Sequence, residues 1–63
     1  MKNYYRVTFQ YSENTYCTNI AHAADIETVN AHYNAKYAWS AARIADDYDI
    51  ETARRKGMPF IEL

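Results

Sequence analysis

The chain has 63 residues, 49% of them hydrophobic, with seven Lys and Arg against eight Asp and Glu. Such a length predicts one small domain over 1–63, and the balanced charge excludes a global field that would draw it to nucleic acid or to a membrane surface. Cys17 is the lone cysteine, which excludes an intrachain disulfide and fits a reducing compartment.

The opening Met1-Lys2-Asn3-Tyr4-Tyr5-Arg6 lacks the apolar run of a signal peptide, and no stretch approaches the length of a membrane span, so a cytoplasmic protein is expected. A core built from so few residues is marginal. Seven tyrosines, two phenylalanines and a tryptophan are one way to enlarge it, and a homodimer is another.

The first predicted element is a β-hairpin. Tyr5, Val7, Phe9 and Tyr11 alternate with Arg6, Thr8 and Gln10, and after Ser12-Glu13-Asn14 the alternation resumes in Tyr16, Thr18 and Ile20. A two-residue turn at Glu13-Asn14 pairs Tyr11 with Tyr16, Phe9 with Thr18 and Val7 with Ile20. A four-residue loop keeps that parity, whereas a three-residue loop breaks it. In the first register all the large residues share one face, leaving Arg6, Thr8, Gln10, Cys17 and Asn19 on the other.

Residues 25–37 read as a helix, with Asp25 at its N-terminus and Ile26, Val29, Tyr33 and Tyr37 forming one apolar stripe. Residues 38–45 fit two descriptions. Ser40 and Ile44 extend the helical stripe, yet Ser40, Ala42 and Ile44 also alternate with Trp39, Ala41 and Arg43 as a strand would. The strand is preferred because two strands make too little sheet to support a helix.

A second helix is better marked. Asp46 and Asp49 have the spacing of a capping box, and acids crowd the first turns. Arg54, Arg55 and Lys56 crowd the last, with Gly57 and Pro59 beyond. Phe60-Ile61-Glu62-Leu63 then reads as a short extended tail.

The hairpin opening, the stretch Tyr48-Asp49-Ile50-x-x-Ala53-Arg54-Arg55-Lys56-Gly57-Met58-Pro59 and the Phe60-Ile61-Glu62 ending resemble small uncharacterised proteins of bacterial mobile elements and phages. The resemblance spans most of the chain and implies a strand over 39–45. It brings no catalytic motif and no established activity. The expected fold is therefore α+β, in the order ββαβα with a short C-terminal strand. The sheet is small and antiparallel, its first strand is central, and one helix packs on it.

The chemistry-bearing residues are few. Cys17, His22, Asp25 and His32 include metal-ligand types, but no close ligand pair of the C-x₂-C or H-x₃-H kind is present, so no metal or cofactor is expected. Cys17 with either histidine could imitate a nucleophile and base. One Cys and two His supply that pair in almost any soluble chain, and with no glycine-rich loop or nucleophile motif the protein is expected not to be an enzyme.

Nucleic-acid binding is the alternative, through Arg54, Arg55 and Lys56. Yet three cations in a last turn equally answer the helix dipole, and the acids at 46, 47, 49 and 51 would repel phosphate. Contact with a protein partner is the leading expectation. Tyr4, Arg6, Trp39 and Arg43 on the sheet face away from the first helix are the candidate contacts, since tyrosine, tryptophan and arginine dominate binding hot spots.

Overall fold

The computed structural model describes all 63 residues. Strands β1 (Asn3–Ser12) and β2 (Thr15–Ala23) form the hairpin, followed by helix α1 (Ile26–Asn34) and strand β3 (Ser40–Ile44). Helix α2 (Asp47–Lys56) and strand β4 (Phe60–Glu62) complete the chain. The sheet order is β3-β1-β2-β4, so β1 is internal, as the crossover rule predicts. β1 runs antiparallel to β2 and β3, but β4 lies parallel to β2, which makes the sheet mixed rather than wholly antiparallel. The ambiguous segment 38–45 is thus largely strand.

The hairpin differs from expectation by one residue, and that residue changes both faces. Ser12 pairs with Thr15 across a Glu13-Asn14 turn, but Gln10 pairs with Tyr16, so Tyr11 is an extra residue in a β-bulge. No residue other than Gly57 has positive φ. The turn therefore lacks the primed geometry whose twist matches paired strands, and a bulge beside it supplies local twist instead. Below the bulge Phe9 pairs with Cys17, Val7 with Asn19 and Tyr5 with Ala21. Cys17 and Asn19 therefore join the Tyr5/Val7/Phe9 face, while Tyr16, Thr18, Ile20 and His22 move to the face of Tyr4, Arg6, Thr8 and Gln10. A one-residue slip inverts every side chain beyond it.

The main core lies between the first of these faces and α1. Tyr5, Val7, Phe9, Ala21 and Ala23 pack with Val29 and Tyr33, and Ile26, Tyr37, Ala42 and Leu63 close the margins. The rings of Phe9, Tyr33 and Tyr37 form one cluster, with centroids 4.4–5.9 Å apart. Tyr33 keeps its hydroxyl satisfied by accepting from Asn19 Nδ2 at 2.9 Å. The Asp25 carboxylate caps α1 by accepting from the Thr28 N–H and hydroxyl. The regular helix ends at Asn34, shorter than the apolar stripe implies, although the Tyr37 N–H still donates to Tyr33 O at 2.9 Å with helical spacing and the Tyr37 ring packs on Phe9. Tyr11 and Tyr16, expected in this core, are exposed instead, the first as the bulged residue and the second on the opposite face.

A second helix on the sheet corrects the single-helix expectation. α2 crosses the opposite face, where Ile20 is 1% exposed and lines a cleft with Thr52 and Met58. Both ends of α2 follow the sequence signals. Asp46 and Asp49 form a reciprocal capping box, and Gly57 at φ 71° ends the helix in the left-handed region. The chain then enters β4, tied to β2 by the Ile20 N–H donating to Pro59 O at 3.0 Å and the Leu63 N–H to His22 O at 2.9 Å.

Candidate functional site

On the α2 side the sheet presents successive cross-strand rows. Nearest the turn, Trp39 lies beside Gln10, whose N–H donates to Trp39 O at 2.9 Å, and Gln10 pairs with Tyr16. The Tyr16 and Trp39 rings lean over Gln10 and meet edge to face, with centroids 5.8 Å apart. They remain 59% and 47% exposed. The next row is Ala41–Thr8–Thr18, joined by a 3.1 Å hydrogen bond between the two threonine hydroxyls. Arg43, Arg6 and Ile20 follow, at the edge of α2. α2 covers the arginine end of the sheet and leaves the aromatic end open.

The two arginines are held by one carboxylate. Arg43 makes a bidentate pair with Asp49, Nη1 to Oδ2 at 2.6 Å and Nη2 to Oδ1 at 2.9 Å, and Arg6 Nε lies 3.9 Å from Oδ1. The same Asp49 carboxylate accepts from the Asp46 N–H, so one buried side chain both caps α2 and clamps it to β3. The Arg43 guanidinium, opposed by burial and aided by the Asp46 N–H, holds the Asp49 carboxyl below its ordinary 3.8. Arg6, Thr8, Trp39, Ala41, Ala42 and Arg43 together line a shallow cleft of about 300 Å³ along β1 and β3.

Three of the four residues picked from sequence, Arg6, Trp39 and Arg43, thus come together. Tyr4 does not join them. It stacks on His22 at 4.4 Å and meets Phe60 edge to face at 6.3 Å, at the far end of the sheet. There Glu62 accepts from Lys2 Nζ at 2.6 Å and lies 3.0 Å from His22 Nδ1, and these contacts lower the Glu62 carboxyl, Lys2 contributing most. The unbulged register buries Tyr16, so the sequence does not point to it, and the Asp46/Asp49 spacing marks Asp49 only as a cap. The one available signal was that the turn could take either parity.

Arg54, Arg55 and Lys56 are exposed at the end of α2 that leads into β4, away from the aromatic pair. Cys17 faces α1 and His22 the opposite side, because five positions along a strand invert the face. No group of three or more His, Cys, Asp or Glu side chains is placed to hold a metal ion. No helix is long and apolar enough to cross a membrane. Comparison with family models, curated proteins and solved structures finds no match for this chain.

Proposed function

We propose that this protein is a non-enzymatic binding module that holds a protein partner on the open half of its sheet. Trp39 and Tyr16 serve as anchors, and Arg6 and Arg43 supply polar contacts at the rim. The observation that carries this reading is the aromatic pair itself. Two large rings pack on each other over Gln10 rather than in either core, and stay half exposed on a face that α2 leaves uncovered. Rings held in place before binding lose little rotational freedom on contact, and arginine beside them completes the usual hot-spot composition. Asp49 keeps Arg43 in one orientation and offsets its charge, which favours a mixed polar and apolar protein surface over a polyanion. The resemblance to mobile-element and phage proteins makes a cytoplasmic host or defence factor the expected partner, with an accessory or inhibitory role for this chain.

The test compares wild type with Trp39→Ala, Tyr16→Ala and an Arg54→Ala/Arg55→Ala double variant. It uses affinity capture from bacterial lysate, alongside anisotropy titrations with mixed-sequence single- and double-stranded oligonucleotides. Each is run at about 50 and about 200 mM salt, a range over which a many-phosphate contact loses several decades of affinity. The reading expects a protein retained at both salts. Its affinity should fall about 30-fold or more in Trp39→Ala, the loss of a hot-spot residue, with circular dichroism unchanged. Oligonucleotide binding that fades with salt and with the double arginine variant would overturn it in favour of nucleic acid.

A further inference from the structure

β3 is an outer strand, and its free side is bare. The Trp39 carbonyl and the Ala45 N–H both bond to β1. Strand alternation therefore turns the backbone groups of Ala41 and Arg43 inward and those of Ser40, Ala42 and Ile44 outward. Only one outward group has a partner: Ile44 O accepts from Arg43 Nη1 at 3.3 Å, and a carbonyl has a second lone pair. Of the usual protections of an edge, β3 has only its shortness and the Arg43 guanidinium at the Ile44 carbonyl. β3 contains no proline and no bulge, and its one charged side chain, Arg43, is tied down by Asp49. Ser40, Ala41 and Ala42 are small enough to let another strand approach, and Ile44 is 57% exposed at the edge.

We infer that β3 pairs with β3 of a second copy of this chain, antiparallel about a two-fold axis at Ala42, joining two sheets into one. The occupant follows from self-complementarity. A two-fold at Ala42 sets Ala42 against its own copy and Ser40 of each chain against Ile44 of the other, so the bare apolar residue meets a small one. The pairing forms about six backbone hydrogen bonds. It sets the two Arg43 side chains diagonally across the seam on one face, where each is already offset by its own Asp49. The axis is perpendicular to the sheet, so both open aromatic ends stay on one side of the joined sheet. The inference stands independently of the proposed function.

A contact of this length buries less than the roughly 1,200 Å² of a standard interface, so the dimer is weak and concentration-dependent, with a dissociation constant on the order of 100 μM. Sedimentation velocity from about 10 μM to about 2 mM, spanning that constant, should show the mass rise from 7.4 kDa toward twice that value. Over the same range, amide exchange by NMR should slow at Ala42 and Ile44, whose N–H groups point outward, and stay constant at Ala41 and Arg43. Ala42→Pro removes an outward N–H without touching the β1 ladder and should abolish the mass increase. Ile44→Lys, at an exposed side chain, should do the same should the proline variant fail to fold. A wild type that stays monomeric at about 2 mM would overturn the inference, as would a dimer that forms without slowing exchange at Ala42 and Ile44.

Discussion

Ile20 gives the sharpest test of the bulged hairpin, because the two registers place it under different helices. In the structure it is 1% exposed and shares a cleft with Thr52 and Met58. Without the bulge at Tyr11 it would lie under α1, with Val29 and Tyr33. Replacing a fully buried isoleucine by alanine removes its transfer energy and leaves a cavity, at a cost of about 3 kcal/mol. A chain of 63 residues has roughly 3–9 kcal/mol of total stability, so Ile20→Ala should take a third of it or more. Urea unfolding at low temperature measures the loss, and Ile20→Val, costing about 1 kcal/mol, remains measurable should the alanine variant be too unstable. NMR chemical shifts then locate it. The largest changes are expected at Thr52, Ala53 and Met58, with Val29 and Tyr33 little affected. A loss below about 1 kcal/mol for Ile20→Ala, or shifts centred on Val29 and Tyr33, would refute the register and the placement of α2.

Two further outcomes follow from α2. Gly57→Ala should lower stability by about 1 kcal/mol in urea unfolding, because φ of 71° disfavours a side chain while an added Cβ would meet nothing within 4 Å; Gly57→Asn should lose less, and equal losses would argue against a purely conformational cost. The depressed Asp49 carboxyl adds stability that is fully present above its unfolded value near 3.8 and disappears as pH falls through the lower folded value. Asp49→Asn should therefore be less stable than wild type at pH 7 and flatten the decline in urea midpoint between about pH 4 and about pH 2, whereas parallel curves for the two proteins would refute the linkage.

The elements themselves were legible in the sequence wherever the physics is local. Asp46 and Asp49 spaced three apart, cations in the last turn and Gly57 after them describe α2 almost to the residue. Asp25 and the Ile26–Val29–Tyr33 stripe describe α1, and period-two alternation describes β1 and β2. Capping and periodicity act within a turn or two of chain, so they can be read without knowing what packs on top. Trp39, Arg6 and Arg43 could likewise be assigned to one sheet face, because they belong to strands whose order follows from crossover handedness.

Where the faces point after Tyr11, and which helix covers which face, depends on packing between distant segments. Either parity of the Ser12–Thr15 turn satisfies local hydrogen bonding; one gathers the large residues of both strands on a single face, and the other divides them between the two faces. Choosing between them requires two coverings at once. Bulging Tyr11 out lets Ala21 and Ala23 admit α1 closely, lets Asn19 answer the Tyr33 hydroxyl, and puts Ile20 beneath α2. That choice also releases Tyr16 to meet Trp39, which forms the open aromatic end on which the proposed function rests. A register is set by the sum of contacts on both faces of a sheet, made by segments distant in sequence, and no local pattern carries that sum.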